Sequence, residues 1–409
     1  LKFNFLGGAD EVGGLGVILE DSFGRVIFDY GIIPRDPPVY PLSAPRIDEI
    51  ILTHAHVDHS GMIPWLTARY RVPVHATAPT MDVGKLLMND SIKVARMEGY
   101  PEPYDAADVE DAISFFSIEK FNSPFEIGGT EFVPRMAGHI PGASMFEINS
   151  ERRILFTGDI HTAETRLVGG AVRPRCDVMV VESTYAGREH PDRRKTEEAL
   201  LEKVKEIVDR GGQAILPAFA VGRTQEILMI LEKSGLNIWV DGMGRKVNRI
   251  YRHSHEYVAS SRALSRACLK AFEVETNEDR MHSGRAEVIV TTSGMLDGGP
   301  AISYIERIKD DPRSGIIISG FQVEESNGYR LLTSGCLEIN GVIEKINCEV
   351  TRFDLSAHAG HSELVDFIGS CDPEYVILVH GDGEKRRLLA DALDGRKVYL
   401  PRKGETLEI

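Results

Sequence analysis

Short apolar runs, each closed by Gly, Asp or Thr, set the pattern of the first third of the chain. LKFNFLGG, GVILEDSFGRVIFDYG and RIDEIILTHAH read as short strands and turns. Helical spacing follows at Gly61–Arg71, Ala78–Glu98 and Ala106–Ser114, and strands return at Thr130–Met136, Ala143–Ile148 and Arg153–Gly158. From about Asp177 the texture changes. The runs VMVVEST, AILPAF, NIWVDG, EVIVTTSG and GIIISG alternate with helical stretches such as Arg193–Arg210, Arg223–Lys233 and a basic one from Gly244. That alternation is the mark of a parallel α/β sheet. After Gly335 the strand-rich texture resumes with LEINGVIEKINCEVTRFD and EYVILVHGD, then a helix near Glu384–Leu393. An α/β block between two stretches of one style implies an inserted domain. The expected limits are 1–180 for the first part of the host domain, 181–340 for the insert and 341–409 for the return.

Composition narrows the class. A chain of 409 residues allows two or three domains. No run approaches the ~18 uncharged apolar residues of a membrane helix. The opening LKFNFLGGADEVGG is too polar and Gly-rich for a signal peptide. Five cysteines with no CxxC argue against a disulfide framework and against a zinc ribbon, so a cytoplasmic protein is expected. The net charge of −15 gives no support for nonspecific nucleic-acid binding, and any such partner needs a local basic surface.

The densest chemistry is in ILTHAHVDHSG, where His54, His56, Asp58 and His59 follow the end of an apolar strand. Imidazole nitrogen and carboxylate oxygen suit zinc. Alternate residues of an extended segment share a face, so His54 and His56 can grip one ion, while Asp58 and His59 fall where the chain turns and can face a second. A solvated loop does not call for three histidines and an aspartate within six residues. Further along, His139 in MAGHIPGAS, Asp159 at the end of RILFTGD and His380 at the end of VILVH each sit in a Gly-flanked turn after an apolar strand. Each is unremarkable singly; together they describe ligands gathered at one sheet edge.

With these residues in view the chain resembles the metallo-β-lactamase superfamily. THAHVDHSG is similar to its HxHxDH signature, and Asp29 in IFDYG, His139, Asp159 and His380 stand in the family order. VEST, PAFAVGRTQE, TTSGML, SGFQ and SAHAGH resemble the β-CASP subfamily, within it the cleavage-and-polyadenylation-type nucleases and especially the archaeal ones. The resemblance implies an α/β fold, a metallo-β-lactamase αββα sandwich with an inserted α/β β-CASP domain. It implies a ribonuclease, endonucleolytic or also 5′→3′ exonucleolytic, with two zinc ions per chain and mainly single-stranded RNA as partner. His54, His56 and His139 would hold one ion, and Asp58, His59 and His380 the other. Asp159 would bridge them, and Asp29 would orient a ligand histidine. The catalytic candidates are Asp58, Glu182 and His358, the last two as a carboxylate holding a proton-donating histidine. On residue type alone, Glu182 reads better as a strand-end acid capping the next helix, and His358 reads equally as a helix-start residue. Gly360 and His361 depart from the acid that often follows SAHA, so His361 is left outside the site. His75, His161, His190, His253, His255 and His282 are taken as structural or surface residues.

Three strand-to-helix joints look suited to phosphate: Gly222 with Arg223, Ser293 with Gly294, and Ser319 with Gly320. Residues 243–270 carry seven Lys or Arg and one acid, Glu256. On a helix Arg245, Arg249 and Arg252 form one stripe where phosphate contacts would concentrate, with Tyr251 and His255 available to stack on bases. Two rival readings stay open. A small-molecule metallo-hydrolase would not need the β-CASP block, and a non-cutting RNA-binding scaffold would lack ligands that are all present here. No KH-type RNA-binding segment precedes the first strands, so a partner or a homodimer is expected to supply specificity. No membrane association is expected.

Overall fold

Strands with one apolar face must bury it against another layer. The computed structural model, which describes residues 1–409, meets this with two seven-stranded sheets in its first unit. That unit comprises Leu1–Glu164, Gly169–Glu189 and Ala357–Ile409. One sheet runs in the order Thr406–Glu408, Lys2–Gly7, Gly16–Asp21, Gly24–Phe28, Glu49–Ile51, Val74–Ala76, Phe116–Ile118. The other runs Lys397–Tyr399, Tyr375–Val379, Val178–Glu182, Arg153–Phe156, Ser144–Asn149, Thr130–Met136, Phe125–Ile127. Phe3, Phe5, Val17, Phe28 and Ile51 of the first meet Phe132, Phe146, Phe156, Val180 and Val379 of the second in one fully enclosed core. Phe28 stacks on Phe156 at 4.2 Å. On the outer face of the first sheet, Ile18, Ile27 and Ile50 pack against Ile63, Leu66, Met88, Ile92 and Val109 from helices Ile63–Tyr70, Ala78–Glu98 and Ala106–Ser114. Helices His361–Cys371 and Gly383–Asp391 belong to the same unit and bury Phe367, Ile368 and Leu389. The result is an αββα sandwich. No helix of the chain is long and apolar enough to cross a membrane.

The second unit comprises Thr165–Val168 and His190–Ser356. Its six strands, Phe272–Glu273, Ile238–Asp241, Val288–Thr291, Ala214–Pro217, Gly315–Ile318 and Glu349–Arg352, are all parallel. The inner strands are buried throughout, which explains why VIVT and GIII are continuous apolar runs rather than alternating ones. The limits differ from those expected. Val178–Glu182 pairs with Arg153–Phe156 and Tyr375–Val379, so the insert begins after Glu189 and not at 181. Glu349–Arg352 pairs in parallel with Gly315–Ile318, and Cys336–Ile339 forms a hairpin with Val342–Lys345. The insert therefore runs to Ser356 and not 340. Strand texture reports that a segment is extended; it does not report which sheet the segment joins.

One polar contact ties three strands of the first sheet. His75 donates from Nδ1 to Glu119 at 2.9 Å and from Nε2 to Glu49 at 3.2 Å, with its ring stacked on Phe125. Burial alone would lower its pKa, but its hydrogen bonds to the two carboxylates outweigh burial and hold it above the ordinary value. Glu119 is held below its ordinary value, where the His75 and Ser117 hydrogen bonds overcome burial. A raised histidine pKa gives stability that is full below the unfolded value of ~6.5 and fades as pH rises through the folded one. His75→Gln should therefore lower unfolding free energy by about 1–3 kcal/mol at pH 6. In urea titrations the deficit should shrink towards pH 9.5, and a deficit that grows with pH would contradict the charged triad.

Candidate active site

The polar residues that follow the strands of the first unit converge. Thr53 and His54 follow Glu49–Ile51, Asp159 follows Arg153–Phe156, Glu182 ends Val178–Glu182, and His380 follows Tyr375–Val379. His139 lies between Thr130–Met136 and Ser144–Asn149, and Asp58 and His59 occupy the helical turn Val57–Ser60. That turn is held by backbone bonds from Leu15 N to Asp58 O and from Tyr30 N to His59 O. The approach requires glycine at 31, where a Cβ would lie 1.9 Å from the Asp58 oxygen. Asp29 and His380 adopt the left-handed backbone at φ 57° and 53°, a strain that recurs at functional sites.

Three overlapping clusters result, one of them Asp159 with Glu182 and His380. Ligand atoms of His54, His56, His139 and Asp159 lie within 4.8 Å of one another, and so do those of Asp58, His59 and His380. His54 Nε2 is 3.1 Å from His56 Nδ1, which is 3.0 Å from His139 Nε2. Asp159 stands among five imidazoles, with its oxygens 3.2 Å from His380 Nδ1, 3.4 Å from His59 Nε2, 3.6 Å from His54 Nε2, and 3.9 Å from both His139 Nε2 and His358 Nδ1. His54, His59, His139, His380 and Asp159 are all buried.

The outer nitrogens of three of these rings are committed to oxygen. His59 Nδ1 donates to Asp29 Oδ2 at 2.7 Å, and His139 Nδ1 to the Ala357 carbonyl at 2.7 Å. Thr53 donates to Asp29 through its amide and its hydroxyl, which leaves its Oγ1 to accept from His54 Nδ1 at 3.1 Å. The inner Nε2 atoms of His54, His59 and His139 thus face Asp159. Burial pushes His54 and His139 well below the ordinary histidine value and His56 down to about 4. His59 Nε2 and Asp159 Oδ1 are buried and make no hydrogen bond. Burial would lower His59 as well, but Asp159 and Asp29 outweigh it and hold that ring well above the ordinary histidine value. Imidazole nitrogens and a carboxylate facing one another are the donor set that suits zinc. His380 Nε2 accepts from the Gly13 amide at 2.9 Å, so Nδ1 is the nitrogen turned to Asp159.

Beside the cluster lies a second kind of pair. Glu182 accepts from Ile160 N at 2.7 Å and from His358 Nδ1 at 3.0 Å. Burial would lower the His358 pKa, but Glu182 and Asp159 outweigh it and raise the group to about 9. The His358 side chain is 19% exposed where Glu182 is 1%, so the pair has a buried anchor and an open end. Thr53, which fixes both Asp29 and His54, was not among the sequence candidates; its signal was its place directly before HAH. His161 bonds the Ala163 carbonyl through Nδ1.

The residues assigned to phosphate fare differently. Gly222 N–H already donates to Gln225 Oε1 at 2.8 Å, Arg223 N–H to Val221 O, and Thr224 N–H to Phe219 O, so that helix start has its amides engaged internally. Arg223 is buried and pairs with Glu226 at 3.4 Å. Arg249 pairs with Glu273 and Glu275, and Arg245 reaches Glu275 at 4.0 Å; Arg252 is half-buried. Arg245 and Arg249 thus have acidic neighbours within the domain, while the Arg249 side chain is 53% exposed. Tyr251 is fully buried and cannot stack on a base, because it lies on the apolar face of its helix; His255 is exposed. The other joints do come together, since Gly294 and Gly320 both press on Phe219, where Cβ atoms would lie 2.8 Å from its backbone nitrogen and its ring. Ser319 is buried and Ser293 half-buried at the same place.

The sandwich and its histidine–aspartate clusters define the class, and the chain belongs to the metallo-β-lactamase superfamily, in its β-CASP family of archaeal cleavage-and-polyadenylation-factor-like proteins. Family models match for a metallo-β-lactamase superfamily domain over residues 36–176, a β-CASP domain over 224–331 and a Zn-dependent metallo-hydrolase RNA specificity domain over 343–401. The chain is 34% identical to the Probable RNase MJ4 of Methanocaldococcus jannaschii, with all of both chains covered. It is 31% identical to RNase aCSPSF2 of Saccharolobus solfataricus, covering 99% of this chain and 84% of that one. It is 30% identical to the transcription termination factor FttA of M. jannaschii, covering 100% and 72%. A crystal structure of a protein of unknown function from Enterococcus faecalis V583 shares the fold at a TM-score of 0.63 and 16% identity, with 99% of each chain covered.

The bond from His59 to Asp29 is the most direct test of how the cluster is oriented. Asp29→Asn keeps a side chain that tolerates the left-handed backbone but removes the charge. It should weaken zinc binding about 10–100-fold in chelator competition. An unchanged affinity would show that the carboxylate does not orient the ligand.

Proposed function

We propose that this protein hydrolyses phosphodiester bonds of single-stranded RNA in the cytoplasm, with two zinc ions per chain. His54, His56 and His139 would hold one ion and Asp58, His59 and His380 the other, with Asp159 beside both sets. The metal would supply an acidified water and offset charge on phosphate oxygens. Asp29 and the Ala357 carbonyl orient the ligand rings. The observation that carries the reading is the Glu182–His358 pair beside Asp159. An RNA 3′-oxygen is a poor leaving group unless it receives a proton. His358 commits Nδ1–H to Glu182, so Nε2 is the nitrogen that delivers the proton, and the raised pKa keeps it charged before transfer. Glu182, held by the Ile160 amide, fixes the His358 ring with Nδ1 turned towards it. A small-molecule hydrolase would not need this second pair. The archaeal relatives named as RNases support RNA as the substrate.

The test is His358→Ala assayed on 5′-labelled RNA. Hydrolysis should fall by about 10²–10⁴-fold, with zinc content and RNA affinity close to wild type. A substrate with a better leaving group should recover much of the loss. Loss of zinc, or an equal deficit on both substrates, would remove His358 from the proton-donor role.

A further inference from the structure

The first-turn amides of a helix need acceptors from outside it. At helix His361–Cys371 a distant loop supplies them. His361 N–H donates to the Arg188 carbonyl at 2.8 Å, and Ser362 donates to Glu189 Oε1 from its amide at 3.1 Å and its hydroxyl at 2.6 Å. One bond runs the other way, from Gly187 N–H to His361 Nδ1 at 3.1 Å. Gly187 has φ 77°, so the loop turns where the histidine grips it. The two segments zipped together here are those that carry Glu182 and His358. The 184–189 loop directly follows Glu182, and its Tyr185 ring lies 5.6 Å from the His358 ring. Thr184 of the same loop contacts His380 Nδ1 at 3.2 Å. On the other segment, Ala359 N–H donates to Ile160 O, whose own amide is bonded to Glu182.

We propose that His361 is a positioning residue for the Glu182–His358 pair. By accepting the Gly187 amide it closes a ring of contacts that runs from Glu182 through the 184–189 loop, the helix start and His358 back to Glu182. This ring sets the distance and angle at which Glu182 meets His358 Nδ1. The inference rests on the reading of His358 as the proton donor. The requirement at position 361 is a neutral acceptor at the place of Nδ1, which lysine and arginine cannot supply. An asparagine oxygen falls near that place, whereas a glutamine oxygen reaches nearer to Nε2.

The experiment compares His361→Asn, His361→Gln and His361→Leu in the full chain on RNA. His361→Leu should lower kcat by about 10–100-fold, the scale of a small misplacement of a reacting group, with KM and zinc content unchanged. His361→Asn should restore most of the rate and His361→Gln should not. The loss should shrink on a substrate with a better leaving group, and His361→Leu should cost little more when added to His358→Ala. Wild-type rates in His361→Leu, equal rates in the Asn and Gln variants, or full additivity with His358→Ala would overturn the role while leaving the donor reading intact. If His358→Ala itself loses equally on both substrates, both readings fall. The Asn and Gln pair differ by one methylene at a half-buried polar position, so their comparison decides even where the leucine variant folds poorly.

Discussion

Five imidazoles surround one buried carboxylate, and the rest of the first unit is arranged so that this is tolerable. Charges taken out of water cost several kcal/mol each unless they are paired or neutralised. On one side of Asp159, burial keeps His54, His56 and His139 neutral, so their inner nitrogens are electron donors rather than like charges. On the other side, His59 is held between Asp159 and Asp29, and His380 between Asp159 and the Gly13 amide. The outer nitrogens of His54, His59 and His139 are tied to oxygen and that of His380 to an amide, so each ring is fixed as it faces Asp159.

Two buried carboxylates stand in different surroundings. Asp159 faces the imidazole cluster. Glu182, on the neighbouring strand, takes one amide and one imidazole and thereby gives a ribonuclease a histidine with a raised pKa at the partly open end of the site. Ligand atoms of Asp159, Glu182 and His380 lie within 4.8 Å of one another, and the core fixes both carboxylates, because they follow or end strands whose inward residues, Phe156 and Val180, are buried in the same cluster.

Legibility in the sequence tracked distance along the chain. His54, His56, Asp58 and His59 stand within one turn after a strand and declare themselves by type and spacing. His139, Asp159 and His380 were readable only in their order, and Glu182 and His358 only through their motifs, since alone each passes for an ordinary capping or helix-start residue. What could not be read depends on remote partners. Arg249 looked free for phosphate because Glu273 and Glu275 lie 24 and 26 residues on. Tyr251 looked available because its helix's buried face was not yet defined. The insert's limits were misplaced at both ends, because pairing of Val178–Glu182 and Glu349–Arg352 is set by strands far away in sequence. The contact between His361 and Gly187 spans 174 residues and has no local signature at all.

The most direct measurement is anomalous diffraction at the zinc edge from crystals grown without chelator. The account predicts two peaks per chain, one enclosed by His54, His56 and His139 and one by Asp58, His59 and His380, with Asp159 contacting both. A single peak, or two peaks of which Asp159 touches only one, would contradict it.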